Sequence, residues 1–182
     1  VLAALGVGIY LVLRAARPAR NAARAALGAL PSAGMLLFYH AACFGSPWRT
    51  GYSFAVDPAH KQGVLGIIGP NWSALRQAIV APDNGLLVLM PWVVLSVVGL
   101  GCVLKDQVAR RRVGAEAITA AAIVGSYILF LGSLEPEFGR GGWCVGPRYI
   151  AVAMPFIAWL AAAALAAAEA RLLTRVLAHG LV

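Results

Sequence analysis

Long apolar blocks separated by short polar stretches are the main pattern along this chain. Four blocks are long enough to cross a membrane, at about 25–45, 86–104, 117–134 and 149–168. Each is close to the roughly 20 residues that cross a bilayer core of about 30 Å. The pattern therefore predicts an all-α fold, a polytopic bundle of transmembrane helices.

A further apolar segment at the start of the chain, residues 1–13, is shorter and ends before Arg14. As a helix it extends only about 20 Å, which is too little to cross. No initiating Met or basic region precedes it, so it does not fit a signal peptide. We interpret residues 1–182 as a single transmembrane domain, a fragment of a larger polytopic protein, in which residues 1–13 are a truncated span.

The polar stretch after the first long block contains a short amphipathic pattern. Trp72, Leu75 and Ile79 recur at helical spacing, with polar side chains facing away from them. Asn71 is a suitable N-cap for this helix, and Pro82 is a suitable stop. A short helix with a Trp on its apolar face is typical of the membrane–water interface. Packing beneath a partner domain is the alternative.

The composition excludes a soluble domain. The chain is 61% hydrophobic and 12% charged, with a mean hydropathy of +0.80, whereas soluble domains are about 45–50% apolar and about 25% charged. The net charge of +8 is the kind that first suggests nucleic acid as a partner. The basic residues bracket the apolar blocks instead of lining one face, so we expect no nucleic-acid binding and take the charge to set topology.

The basic residues divide unequally between the two sides of the predicted bundle. Three connectors carry ten of them, Arg14, Arg17, Arg20, Arg24, Lys105, Arg110, Arg111, Arg112, Arg171 and Arg175. The loops 45–85 and 135–148 carry five, diluted by acidic residues. The excess of Lys and Arg places the connectors in the cytoplasm and both loops outside. Because Arg greatly outnumbers Lys and Ala is abundant, we expect a high-GC bacterium and its inner (plasma) membrane.

Both outer loops combine arginine with aromatic residues. The first contains "FGSPWRTGYSF" and the second "GRGGWCVGPRYI", which together offer Trp48, Arg49, Tyr52, Trp143, Arg148 and Tyr149. Arginine suits bidentate binding of phosphate, and Trp and Tyr suit headgroups and sugar faces. We therefore predict a substrate-binding site for a phosphate-bearing lipid or a sugar. Ordinary anchoring at the membrane interface is the alternative.

Three stretches of the chain carry a family resemblance, "FYHAACFGSPWRTGYS", "APDNGLLVLMPWVVL" and "GGWCVGPRYIAVAMPFIAWL". They resemble bacterial membrane proteins related to the dolichyl-phosphate-mannose-protein mannosyltransferases, which have the glycosyltransferase fold called GT-C. The resemblance covers about residues 36–160. It implies a mannosyltransferase-like enzyme that takes a sugar from a polyprenyl-phosphate donor on the outer face and transfers it to a glycan, lipid or protein acceptor.

The resemblance leaves the catalytic residue unassigned. In such enzymes the catalytic carboxylate lies in the first outer loop, which we expect upstream of this fragment. Glu135 and Glu137 are the nearest candidates for an acid–base pair here, although solvated carboxylates after a helix are common. Some family members use a divalent cation, but His40 and His60 have no third ligand at useful spacing, so no metal site or cofactor is predicted.

Two other functional classes compete with the enzyme, a lipid or sugar transporter component and a non-catalytic membrane subunit. A transporter is expected to carry ionisable residues or broken helices near the middle of its spans. Here the span centres are Ala, Val, Leu and Ile, and the polar residues lie at the outer rim. We predict that the two outer loops face each other across an outward cavity, with Arg49 and Arg148 directed toward the phosphate of the lipid carrier. This requires blocks 25–45 and 149–168 to pack near each other, and the small residues along 161–168 would permit such close approach.

Overall fold

The structure, a computed structural model, describes residues 2–14, 16–54, 67–82, 85–134 and 148–180. Only the backbone is described for Leu13, Tyr52, Arg148 and residues 171–180. Within these ranges the regular structure is helical, apart from an isolated antiparallel bridge between Ile67 and Leu134. The predicted all-α class is confirmed.

Seven α-helices form the described part of the chain. They are α1 (Leu2–Arg14), α2 (Pro18–Phe44), α3 (Trp72–Val80), α4 (Leu86–Leu89), α5 (Val94–Lys105), α6 (Gln107–Leu131) and α7 (Met154–Gly180). Short 3₁₀ helices cover Gly51–Phe54, Pro91–Val93 and Arg148–Ala153. In the described chain, three helical segments are long and apolar enough to cross a membrane, Pro18–Phe44, Gln107–Leu131 and Tyr149–Ala170. The fold is that of a helical membrane protein.

Helix α3 forms where its pattern predicts and begins at the predicted cap. The Asn71 side chain accepts hydrogen bonds from the backbone N–H of Ser73 at 2.9 Å and of Ala74 at 3.4 Å. These bonds satisfy donors that have no partner within the first helical turn. Ala74 and Ala78 are buried, whereas the Trp72 side chain is 77% exposed. The helix therefore presents its Trp outward from the bundle, as an interfacial helix does.

The apolar block 86–104 is a broken helix, which corrects the expectation of one continuous span. Helix α4 ends at Leu89, and Met90 leaves the helical region with φ −139° and ψ 65°. Pro91 has no N–H to continue the ladder, and it disfavours helical geometry in the residue before it. The helical part after the break, Pro91–Lys105, is roughly 22 Å long and is among the shorter apolar helices. Pro31, by contrast, lies inside α2 without ending it.

Helix α6 lies at the centre of the described bundle, with α1, α5 and α7 packed against it. Its buried face consists of Gly114, Ala117, Ala120, Ile123, Val124, Tyr127 and Leu131. One buried cluster contains Ile123 and Ile157, and a second contains Val103 and Leu160. Because lipid is as apolar as these side chains, van der Waals packing holds the helices together.

Helices α5 and α7 pack with their backbones nearly in contact. Ser96, Gly99 and Val103 form the buried face of α5. A Cβ added at Gly99 would overlap the carbonyl oxygen of Leu160 and lie 3.0 Å from the backbone nitrogen of Ala164. The small residues along 161–168 do allow another helix to pack closely, as expected, but that helix is α5.

Helix α2 lies at the edge of the described bundle. None of its residues is buried, and its main neighbour is α1. The expected packing of block 25–45 against block 149–168 is therefore wrong. An unpacked apolar helix of this length is suited to contact with lipid on most of its surface.

The connections between helices collect at two ends of the bundle. The end that we name the basic end holds the α1–α2 turn, the α5–α6 turn and the start of α6 with its three arginines. At the opposite end, which we name the loop end, Ile68 N–H donates to Ser133 O at 2.9 Å and Asn71 N–H donates to Gly132 O at 2.8 Å. Residues 68–71 of the long loop therefore contact residues 132–133, which come just before the second loop. Helix α2 begins at the basic end, and its far end carries residues 45–54.

This arrangement predicts which positions are accessible from outside the cell. In the full-length chain with its cysteines replaced by serine, Ser53→Cys is expected to react with an impermeant maleimide on intact cells. Gln107→Cys is expected to react only after lysis, because the basic connectors stay in the cytoplasm. Both positions are exposed on the protein surface, so access depends on the membrane. Labelling of Gln107→Cys with protection of Ser53→Cys would reverse the topology.

Candidate functional site

The predicted binding stretch 44–54 folds into a compact structure on the last turn of α2. Gly45 has φ 71°, and its N–H donates to Ala41 O at 3.0 Å. This is a left-handed helix cap, which glycine adopts without the strain that a Cβ would cause. The chain therefore leaves α2 at a sharp and defined angle.

Two hydrogen bonds close a turn directly after this cap. The Arg49 N–H donates to Ser46 O at 3.2 Å, and the Trp48 N–H donates to Ser46 Oγ at 3.4 Å. His40 Nδ1 lies 3.3 Å from Pro47 O, which brings the turn back to the helix. These contacts fold residues 46–49 into a turn that lies against the end of α2.

An aromatic cluster supports the turn from one side. The rings of Phe44 and Phe54 stack with centroids 5.8 Å apart. Phe44 also meets Tyr39 at 6.1 Å and His40 at 5.8 Å, both in edge contacts. Phe44 is therefore the centre on which α2 and the 3₁₀ helix Gly51–Phe54 join.

The side chains of Trp48 and Arg49 are both exposed on this turn. Trp48 is 82% exposed and Arg49 is also exposed. The neighbouring Thr50 Oγ1 is buried and has no hydrogen-bond partner among the described residues. The Tyr52 backbone lies in the following 3₁₀ helix.

The second predicted stretch is described only in part. Arg148 and Tyr149 begin the 3₁₀ helix Arg148–Ala153. The Tyr149 ring is partly buried and meets Phe130 of α6 edge-on, with centroids 5.8 Å apart. Trp143 and the side chain of Arg148 lie outside the described residues. Tyr149 thus packs partly into the bundle at the loop end.

The structure does not bring the two stretches together through their helices. The Trp48–Arg49 turn belongs to α2, whose main neighbour is α1, whereas Arg148 leads into α7, which packs on α5 and α6. The contact at the loop end is made instead between residues 67–71 of the long loop and residues 132–134, which come just before the second loop. A shared ligand is therefore not required by the packing.

The carboxylates of the described residues lie away from the loop end. Asp106 caps α6 by accepting from Val108 N–H at 2.8 Å and Ala109 N–H at 3.0 Å. Glu116 and Glu169 lie farther along α6 and α7. The outer carboxylates Asp57, Asp83, Glu135 and Glu137, and with them His60, fall outside the described residues.

A polar cluster that the sequence analysis missed joins α1 to α6 at the basic end. Tyr10 Oη donates to Glu116 Oε1, and Arg14 Nη2 donates to the same oxygen at 3.1 Å. The Arg14 guanidinium carbon lies 5.8 Å from the centroid of the Tyr10 ring. Hydrogen bonds with Tyr10 and Glu116 raise the pKa of Arg14, so it remains a cation. The available signal was a carboxylate at the start of the apolar block 117–134.

Comparisons with protein-family models, with curated protein sequences and with solved structures find no match to this chain. Two described features of the chain carry polar chemistry, the exposed Trp48–Arg49 turn and the Tyr10–Arg14–Glu116 cluster.

Proposed function

We propose that this chain is part of an integral membrane glycosyltransferase that takes a sugar from a polyprenyl-phosphate carrier at the outer face. The observation that carries the proposal is the exposed pair Trp48 and Arg49 on a turn of fixed shape. The resemblance of residues 36–160 to GT-C enzymes supports the reaction class. The acceptor is a glycan, lipid or protein.

The turn supplies the contacts that a phosphate at the membrane surface requires. The Arg49 guanidinium can donate two parallel hydrogen bonds to phosphate oxygens. The Trp48 indole suits the depth where headgroup and chain meet. Because the cap, the turn bonds and the aromatic cluster already fix the backbone, less conformational entropy is lost on binding. Simple anchoring does not require such a fixed shape.

The second loop contributes to the same face in this proposal. Arg148 begins the 3₁₀ helix that leads into α7, with Tyr149 beside it, and Tyr52 and Trp143 complete the aromatic set. Since α2 and α7 are not packed together, we assign Arg49 and Arg148 to separate parts of the bound donor. Their effects on binding are then expected to add, as effects at independent sites do.

The phosphate assignment is tested by binding of a polyprenyl phosphate to the full-length protein in nanodiscs. Arg49→Ala is expected to weaken binding about tenfold, the size expected for losing a hydrogen bond to a charged group. The uncharged polyprenol, which lacks the phosphate, is expected to bind both proteins equally. Arg110→Ala, an exposed arginine at the basic end, is the matched control and is expected to bind normally.

Two results decide the question. Unchanged binding in both Arg49→Ala and Arg148→Ala would reduce these loops to membrane anchors. If the double variant loses no more affinity than one single variant, the two arginines hold one phosphate, and the assignment to separate parts is incorrect.

The alternative function is a transporter or non-catalytic membrane subunit. The broken helix at Met90 favours it, because discontinuous helices often line transport sites. The break, however, lies one short helix from the loop end, and Glu116, three residues from the midpoint of α6, already accepts hydrogen bonds from Tyr10 and Arg14 of α1. Reconstituted protein that moves a fluorescent carrier lipid between leaflets without transferring its sugar would establish the alternative.

A further inference from the structure

Two open grooves run along either side of α1, where it packs on α6. One has a volume of about 480 Å³ and includes Arg14 in its wall. The other has a volume of about 470 Å³ and includes Glu116 instead. Tyr10 and Thr119 border both grooves, so the Tyr10–Arg14–Glu116 cluster stands between them.

The first groove, which we name the Arg14 groove, is apolar along most of its length and cationic at one end. Its apolar wall includes Leu2, Leu5, Ile9, Ile118 and Ala122. Leu5, Ile9 and Ile118 are each more than half exposed. Within the described residues the groove follows α1 from Leu2 to Arg14, a distance of about 18 Å.

Arg14 is held at the end of this groove in a defined position. Its Nη2 is bonded to Glu116 Oε1 at 3.1 Å, and its side chain is still 53% exposed. A guanidinium carries five N–H donors in a fixed fork, so one bond to Glu116 leaves donors for a second acceptor. The neighbouring Arg17, Arg20 and Arg24 give this end of α1 an excess of positive charge.

We propose that the Arg14 groove binds an anionic glycerophospholipid. The lipid phosphate accepts hydrogen bonds from Arg14, and one acyl chain lies along Leu5, Ile9 and Ile118. Basic pockets between membrane helices are known places for anionic headgroups. The apolar wall of the groove suits an acyl chain, and the charge at its end suits an anion. The groove on the other side of α1 has Glu116 at this level, which disfavours an anion there.

The role of Glu116 in this site is to position Arg14, and it does not touch the lipid. The inference is independent of the proposed transferase activity, because the groove lies at the basic end and the carrier site at the far end of α2. Arg49→Ala is accordingly expected to leave this site unchanged.

Titration of the purified full-length protein with dioleoylphosphatidylglycerol and with dioleoylphosphatidylcholine, followed by native mass spectrometry, tests the proposal. The wild type is expected to prefer the anionic lipid about tenfold, the size expected for a hydrogen bond to a charged group. Arg14→Gln is expected to abolish the preference, and Arg14→Lys to retain most of it. Arg110→Gln makes the same charge change on another face of the basic end and is expected to keep the preference.

A second pair of variants tests the acyl-chain part of the groove. Ile118→Trp is expected to fill the groove and weaken binding of both lipids at least fivefold. Leu129→Trp adds a similar volume on the same helix outside the groove, at a side chain that is 61% exposed, and is expected to have no effect. Thermal melting of each variant separates lost binding from lost folding.

Equal loss of preference in Arg14→Gln and Arg110→Gln would overturn the proposal, because general charge attraction would then account for the binding. Normal lipid binding by a folded Ile118→Trp variant would overturn it as well. Loss in Arg14→Gln alone, together with loss in Ile118→Trp, would establish the site.

Discussion

Replacing Gly99 by alanine is expected to destabilise the protein by about 1–3 kcal/mol, the cost of forcing extra volume into a packed interface. The added Cβ would overlap the carbonyl oxygen of Leu160. A backbone atom cannot move aside as the end of a side chain can, so α5 and α7 must separate. Separation weakens the van der Waals contacts that hold helices together in lipid. The measurement is the midpoint of thermal unfolding in detergent micelles, followed by intrinsic tryptophan fluorescence.

Gly101→Ala provides the matched control on the same helix. A Cβ at Gly101 would meet no atom within 4 Å, and alanine is the better helix former by about 1 kcal/mol. This variant is expected to be as stable as the wild type or more stable. Equal melting of the two variants would mean that α5 and α7 do not approach as closely as the structure places them.

Replacing Ile123 by alanine is expected to cost about 2 kcal/mol, the lower part of the range for such a truncation. Ile123 is 2% exposed, and its side chain fills the space against Gly6 of α1. Truncation leaves a cavity whose lining atoms lose their contacts. The value falls in the lower part because lipid is no worse a solvent for isoleucine than the protein interior. Chemical denaturation in mixed micelles gives the change in free energy.

Leu129→Ala is the corresponding control, on the same helix and with the same loss of atoms. Its side chain is 61% exposed, so lipid replaces the missing atoms and no cavity forms. Its stability is expected to stay within about 0.5 kcal/mol of the wild type. A similar loss in both variants would show that Ile123 does not pack between α1 and α6.

Several features of the fold follow from local sequence. The lengths of the apolar blocks predict helices of the right class, and the short first segment forms a helix that ends at Arg14. Asn71 predicts the start of α3, because a side-chain cap needs only atoms two or three residues away. These features depend on neighbours in the chain, which the sequence displays directly.

The break at Met90 is a feature that the hydropathy pattern did not predict. Hydropathy treats block 86–104 as one span, since Pro91 and its neighbours are all apolar. Pro31 and Pro91 behave differently, because Pro31 is accommodated within α2 and Pro91 separates α4 from α5. Composition alone cannot distinguish these two outcomes.

The sequence predicted which residues supply the chemistry of the candidate site, but it did not predict how those residues are arranged. The pairing of Trp48 with Arg49 is visible in the sequence, and the structure adds that a glycine cap and the Phe44 cluster hold the pair outward. The predicted convergence of Arg49 and Arg148 required block 25–45 to pack near block 149–168, where the small residues along 161–168 would permit close approach. Those residues pack against Gly99 of α5, and α2 stays at the edge.

The sequence by itself determined that this is a helical membrane protein, which parts of the chain form its apolar helices, and which residues carry its charge and its aromatic rings. Only the tertiary structure decided which helices are neighbours, and that Tyr10, Arg14 and Glu116 meet between α1 and α6. The physical reason is that helix formation depends on nearby residues and on overall apolarity. In lipid every apolar face is equally well solvated, so the choice of partner rests on shape and on a few polar contacts between residues distant in the chain.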